Sequence, residues 1–230
     1  MKKYIILLLT STLLFSCKKD DTVMVQFFLK SSGKTPFGRS YLLDQAKTKM
    51  LFSNFRYVDN MGKETLVKDV FLYKKGENGF GFKVPSGNFT SFRFSFGLDK
   101  ATNNSTPSSF PASNPLSVET GLYWDMLKYR FLIVEGDIDD SPTKDNTPDA
   151  PFSMHLGGDT LYTEINVTDI PAKGNTMNIE LDMDKLFMLD SDPFLITNFS
   201  NHSEAGEVSR GIAIKNSFVS GIKATVLRPE

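Results

Sequence analysis

Apolar side chains occupy alternate positions through most of the chain, a pattern that predicts β-strands rather than helices. In Val23–Leu29 every second residue is apolar, and Phe92, Phe94 and Phe96 alternate in the same way. Successive residues of a strand point to opposite faces, so each such segment buries one side and leaves the other polar. The pattern predicts nine strands, at residues 23–29, 51–58, 67–74, 80–84, 89–98, 127–135, 152–155, 161–167 and 176–183.

Two later segments depart from this alternation and predict helices. Asp184–Leu189 is expected to form a short helical turn, and Gly211–Lys223 has a partial apolar stripe of helical spacing. Many short strands separated by turn residues are typical of layered β folds. We therefore predict an all-β, antiparallel two-sheet sandwich of about nine or ten strands with one or two short helices, the last near the C-terminus.

Composition allows a core and limits the classes of partner. Of 230 residues, 40% are apolar and 23% are charged, which are ordinary values for a globular domain. The formal net charge is −1, so the chain lacks the excess of basic residues expected of a nucleic-acid-binding protein. We expect no nucleic-acid partner.

The first residues predict export and lipid attachment. Lys2 and Lys3 precede the apolar run Tyr4–Leu14, and Cys17 is the only cysteine. The run resembles a bacterial lipoprotein signal, and Lys18–Asp21 resembles the signal that Bacteroidota-type bacteria use for surface lipoproteins. An ordinary secretory signal and a solvated tether are the alternatives. The predicted organisation is a signal peptide at 1–16, a lipidated cysteine with a charged tether at 17–22, and one domain at 23–230.

These features predict an outer-membrane lipoprotein. We expect the protein to contact the outer membrane through a lipid on Cys17 and to face the cell surface, with the periplasmic face as the alternative. No second apolar run is long enough to span a bilayer.

The candidate chemistry lies in the rarest side chains. Trp124 is the only tryptophan, and His155 and His202 are the only histidines. If the predicted strands 127–135 and 152–155 pair in antiparallel fashion, Trp124 and His155 come close together. Neutral imidazole binds copper and zinc, and thioether sulfur suits Cu(I). Met126, two residues after Trp124, would then share its strand face; core packing of Trp124 and Met126, and surface roles for the histidines, are the alternatives.

Oxygen-rich loops offer weaker candidates. Asp99, Asn103 and Asn104 carry oxygen ligands suited to calcium, and five aspartates lie within Asp137–Asp149. Their spacing matches no EF-hand, and such residues are also typical of solvated turns, which we favour. Glu135 ends an apolar run, where burial would raise its pKa; a carboxylate facing water is the favoured alternative.

Several segments, in this order, resemble the MbnP-like family of periplasmic or surface copper-binding proteins, which is named after the methanobactin-associated partner protein. The resemblance covers roughly residues 23–224. It lies in Leu51–Tyr57, Phe94–Asp99, Gly121–Trp124, Tyr129–Gly136, His155–Gly158, Ile179–Phe187 and Ile212–Phe218.

This resemblance implies copper binding by Trp124 and His155, with Met126 and His202 as further ligands. In some members the tryptophan is oxidised to kynurenine by a dihaem enzyme of the cytochrome c peroxidase type, so such an oxidase or an outer-membrane transporter is the implied partner. Met126 stands where members often carry a second Trp or a His, and Leu66–Tyr73 lacks a histidine. A member that keeps the fold without metal therefore remains an alternative.

The sequence gives little support to an enzyme. It contains no G-x-S-x-G, and neither histidine lies in H-E-x-x-H. We predict a non-catalytic copper-binding or copper-handling lipoprotein. The alternatives are a metal-free surface module that binds another envelope protein or a nutrient, and a carbohydrate-processing enzyme with two facing carboxylates.

Overall fold

The computed structural model describes residues 20–85, 89–168, 176–189, 200–202 and 207–227. Strands dominate these residues. The strands are β1 (Asp20–Lys30), β2 (Tyr41–Leu43), β3 (Lys49–Asp59), β4 (Glu64–Lys74), β5 (Gly79–Pro85), β6 (Phe89–Phe96), β7 (Tyr123–Trp124), β8 (Lys128–Ile138), β9 (Ala150–Gly157), β10 (Thr163–Thr168), β11 (Thr176–Asp182), β12 (Ser200–Asn201) and β13 (Lys223–Leu227). The helices are α1 (Lys100–Asn103) and α2 (Val208–Ser220), with 3₁₀ turns at Pro107–Ser109, Val118–Thr120, Asp159–Leu161 and Met183–Phe187.

The strands form two sheets, which confirms the predicted sandwich with a helix near the C-terminus. The smaller sheet has the order β13-β11-β1-β5. The larger has the order β10-β6-β3-β8-β9-β12, with β4 paired to β3 and with β2 and β7 paired to β8. The sheets are not wholly antiparallel as predicted, because β1 runs parallel to β11 and β12 runs parallel to β9. The four strands beyond the predicted nine are β2, β7, β12 and β13.

Aromatic rings fill the space between the sheets. Phe27 of β1, in the small sheet, stacks on Phe52 of β3 and Phe71 of β4 in the large sheet, with ring centroids 4.8 and 5.2 Å apart. Phe94 of β6 meets Phe27 edge-on. All four rings are buried, so the strands that alternated in the sequence do face one core.

A bulge in β3 changes the predicted alternation. Asn54 has a φ of 55°, and the pairing of β3 with β4 and β6 shifts register between residues 53 and 56. As a result Phe52 and Phe55, three residues apart, both reach the ring of Phe27. Strict alternation would place Leu51, Ser53, Phe55 and Tyr57 on one side of β3, and it fails at this bulge.

The C-terminal helix begins and ends earlier than predicted. It spans Val208–Ser220 rather than Gly211–Lys223, and Phe218 packs edge-on against Phe96 in the core. Lys223 instead begins β13, which pairs with β11 in antiparallel fashion. Gly221, which weakened the helical pattern, is the helix C-cap.

The predicted export segment lies mostly outside the described residues. The signal peptide at 1–16 and Cys17 are among these, so lipidation stays a prediction. Strand β1 begins at Asp20, so the last three residues assigned to the tether belong to the sheet. Among the described residues, no helix has the length and apolar character needed to cross a bilayer.

Candidate functional site

Trp124 lies at the tip of a tight hairpin on the large sheet. Strand β7 pairs with β8 so that Trp124 faces Lys128, and the carbonyl of Trp124 accepts a hydrogen bond from the amide of Leu127. Lys128, the first residue after the three-residue loop, has a φ of 63°, in the left-handed region. The hairpin therefore fixes Trp124 beside the first residues of β8.

His155 and His202 reach the same place from two other strands. The predicted antiparallel pairing of 127–135 with 152–155 is confirmed as β8–β9, with Ile133 opposite His155. Strand β12 adds in parallel beside β9, with Asn201 opposite Met154, so the next residue, His202, comes level with His155. The backbone amide of His202 donates to a carboxylate oxygen of Glu207 at 2.8 Å, next to the start of α2.

The three rings form one cluster. The centroids of the His155 and His202 imidazoles are 5.0 Å apart, and the His202 ring meets the indole of Trp124 edge-on at 5.6 Å. Trp124, His155 and His202 are each partly buried. Three of the four residues proposed from the sequence therefore lie together, and His202 is the one that joins the other two.

Arg130 covers the indole from β8. Its guanidinium carbon lies 5.8 Å from the ring centroid of Trp124, within the range of a cation–π interaction. The guanidinium also donates to the backbone carbonyls of Gly121 and Leu122, which anchors it beside the hairpin. Nothing in the sequence marked Arg130 as part of a site.

Glu135 and Lys47 extend the cluster. His155 Nε2 lies 3.0 Å from Glu135 Oε1, and Lys47 Nζ lies 3.0 Å from Glu135 Oε2. Glu135 is opposite Ser153, so it is the diagonal neighbour of His155 on the same face. Lys47 sits in a turn between β2 and β3 whose sequence gave no signal of a site.

These contacts set the charge states. Burial would raise the pKa of Glu135, but the hydrogen bonds from Lys47 and His155 outweigh it, and the pKa lies below its ordinary value. The raised pKa of Glu135, the less favoured of the two interpretations of the sequence, is therefore wrong. Burial also lowers the pKa of His155, with Arg130 and His202 adding to the effect against the opposing hydrogen bond to Glu135. A lowered pKa favours the neutral imidazole, the form that binds metals.

Met126 lies apart from the rings. The prediction that it shares a strand face with Trp124 is wrong, because the strand ends at Trp124 and Met126 occupies the hairpin turn. Its side chain is 60% exposed. It lines a shallow groove together with Asn104, Gly158 and Val208.

The residues proposed for calcium in the first loop make structural hydrogen bonds instead. Asp99 caps α1 by accepting from the amides of Ala101 and Thr102. Asn103 donates to Asp159 at 2.8 Å and accepts from the amide of Tyr129 at 3.1 Å. The Asn104 side chain donates to the carbonyl of Lys100. The turn-forming alternative accounts for all three.

The acidic loop is organised by one buried carboxylate. Asp139 is fully buried and accepts from the amides of Ser141 and Asn146. Arg39, also buried, donates to the carbonyls of Asp139 and Ser141, each at 2.9 Å. Arg39 therefore fixes the loop in place, although no motif in the sequence indicates this role.

Two glycines after His155 allow β9 to end close to β8. A Cβ built on Gly157 would lie 2.5 Å from the carbonyl oxygen of Tyr129, closer than real contacts allow. Gly158 has a φ of 98°, a conformation that favours glycine. The glycines of the H-L-G-G motif therefore allow the backbones of β9 and β8 to approach closely beside His155.

Among the described residues, no group of three or more His, Cys, Asp or Glu side chains is arranged to hold a metal ion. The cluster offers two imidazoles and an indole instead.

The sequence model of one family, MbnP, matches residues 22–208. The chain belongs to the MbnP family. The match spans β1 to the start of α2 and so includes Trp124, His155 and His202. No curated protein sequence matches the chain significantly.

A solved structure of this family has the same fold. MbnP from Methylosinus trichosporium matches with a TM-score of 0.53 and 17% sequence identity, over 76% of this chain and 80% of that chain. At this identity the likeness concerns the fold alone.

Proposed function

We propose that this MbnP-family member is an extracytoplasmic copper-binding protein whose site is formed by His155, His202 and Trp124. The observation that carries the proposal is the 5.0 Å separation of the two imidazole centroids beside the indole. Two imidazoles bound to one ion through bonds of about 2 Å have ring centres at most about 6 Å apart, so this pair meets the requirement.

The small ligand set favours copper over zinc. Zinc sites use at least three protein ligands from His, Cys, Asp and Glu. Cu(I) is softer, and its binding to two imidazoles needs no third protein carboxylate or thiolate. The copper ion would be cargo for transfer, and the chain would bind it and shelter it from solvent without catalysing a reaction. Trp124 would serve in its native form or, as the family resemblance implies, after oxidation by a dihaem enzyme.

The location follows from the predicted lipid on Cys17. We propose that the protein is held on the outer membrane, facing the cell surface, where a dihaem oxidase or an outer-membrane transporter would be its partner.

Trp124 is the only tryptophan, so its emission reports on the site directly. Purified protein is titrated with Cu(I) under anaerobic conditions, with a chelator competing for the ion and with Zn²⁺ in parallel. We expect one bound copper per chain, a change in Trp124 emission and weaker binding of Zn²⁺. His155→Ala and His202→Ala should each abolish high-affinity binding.

Met126→Ala is the matched control, because it removes a soft ligand from the same hairpin without touching the rings. It should bind copper as the wild type does. Copper bound equally well by the wild type and by the double variant His155→Ala/His202→Ala would refute the site. Failure of the wild type to bind copper would favour the metal-free interaction module. Mass spectrometry of the Trp124 peptide distinguishes the native from the oxidised side chain.

A further inference from the structure

The carboxylate beside His155 determines which of its ring nitrogens is free. A neutral imidazole has one N–H donor and one acceptor nitrogen, whereas a carboxylate only accepts hydrogen bonds. Because His155 Nε2 lies 3.0 Å from Glu135 Oε1, Nε2 must carry the proton when the ring is neutral. The lone pair is then on Nδ1, which accepts no hydrogen bond from the described residues.

Lys47 determines which carboxylate oxygen of Glu135 faces His155. It holds Glu135 Oε2 at 3.0 Å, which leaves Oε1 for His155. The Lys47 side chain is more than half exposed, that of Glu135 is 27% exposed and that of His155 is 14% exposed. The three side chains therefore form a chain of contacts from solvent inward to the imidazole. The lowered pKa of Glu135 is consistent with a carboxylate that stays charged in this arrangement.

We propose that Glu135, held by Lys47, is a positioning residue that fixes His155 in the Nε2–H tautomer and makes Nδ1 its metal-binding nitrogen. The metal-binding part rests on the proposed copper site, but the tautomer is a property of the metal-free protein. A carboxylate that accepts from a metal-binding histidine fixes ring orientation and raises the basicity of the ligand.

Glu135→Gln gives a sharp test because Lys47 stays in place. Lys47 only donates, so it would take the single amide oxygen of the new glutamine and turn the amide nitrogen toward His155. His155 Nε2 must then accept, and the proton moves to Nδ1. The substitution should therefore invert the tautomer rather than merely loosen the ring. Adding Lys47→Met frees the amide to rotate and should restore the Nε2–H form.

The measurement is a long-range ¹H–¹⁵N spectrum of metal-free protein with labelled histidine, with the two rings assigned through His202→Gln. We expect Nε2–H in the wild type, Nδ1–H in Glu135→Gln and recovery in the double variant. Copper affinity should fall about 10- to 100-fold in Glu135→Gln and recover in the double variant. Glu180→Gln is the matched control, since Glu180 also pairs with a lysine, Lys30, but on the small sheet.

The outcomes separate the two proposals. An Nδ1–H ring in the wild type, or an unchanged tautomer in Glu135→Gln, would overturn the role of Glu135. An inverted tautomer with copper affinity equal to that of Glu180→Gln would overturn Nδ1 as the ligand. A wild-type protein with the Nε2–H ring that binds no copper would contradict the copper site alone, because the metal-free spectrum already decides the Glu135 contact.

Discussion

Phe27 and Phe28 are neighbours on β1 that test the two-sheet arrangement. Phe27 is 1% exposed and its ring meets Phe52 and Phe71 of the opposite sheet. Phe28 points to the other face and is 41% exposed. Replacing each by alanine removes the same atoms from the two faces of one strand.

The expected losses differ several-fold. Truncating a buried phenylalanine to alanine removes the transfer free energy and leaves a cavity, at a cost of about 3–5 kcal/mol in the free energy of unfolding. Phe28→Ala leaves no cavity and loses roughly half of the burial of one ring, about 1–1.5 kcal/mol. Since 1 kcal/mol shifts the Tm of a domain of this size by about 2–4 °C, Phe27→Ala should lower Tm by about 6–20 °C and Phe28→Ala by a few degrees.

The assay is urea and thermal unfolding of the two variants beside the wild type, followed by circular dichroism and by Trp124 emission. Agreement of the two probes checks that unfolding is two-state. Equal losses in the two variants would refute the assignment of Phe27 to the core between the sheets. A larger loss in Phe28→Ala would mean that the faces of β1 are reversed.

Two other regions give further predictions. The pKa values of His155 and Glu135 lie below their ordinary values, so the unfolded state binds protons first as the pH falls. Stability of the metal-free protein should be full above about pH 6.5 and decrease below it, and His155→Gln should flatten the first part of that decrease in urea titrations at several pH values. Arg39→Met removes two hydrogen bonds to the carbonyls of Asp139 and Ser141, so limited proteolysis should cut residues 139–146 faster than in the wild type; an unchanged rate would contradict the role of Arg39.

Much of the fold could be predicted because alternation is a local property. The burial of Val25, Phe27, Phe94 and Ile179 follows directly from period-two spacing in strands that each have one wet face. The pairing of β8 with β9 was also predictable, since the two apolar runs flank a single turn-rich segment. The burial of these strands and the pairing of β8 with β9 can both be inferred from residues that are close together in the sequence.

The missed features depend on single residues or on distant pairings. Asn54 has a left-handed backbone conformation inside β3, which places Phe52 and Phe55 on the same side of the strand. The pattern of alternating apolar residues does not predict such a bulge. Met126 is two residues after Trp124, the spacing of side chains on one strand face. The strand ends at Trp124, however, so Met126 lies in the hairpin turn. Strand β12 has two residues, too few for any periodicity, so the parallel step that places His202 beside His155 left no mark in the sequence.

The pairing of β12 with β9 affects how the site would hold a ligand. Trp124 and His155 sit on strands that are paired with β8. In the part of the chain that the structure describes, β12 pairs with β9 at two ladder positions, and the amide of His202 donates to Glu207. An ion bound by both imidazoles would link β12 to β9 through the side chains of His202 and His155. This link would add to the backbone hydrogen bonds between the two strands. Because a ligand stabilises whichever state binds it, copper would favour the docked form of β12 more than any other part of the domain. Metal-induced protection of amide exchange should therefore be largest at residues 200–202 and in the adjoining β9, and uniform protection of both sheets would argue that the ion binds elsewhere.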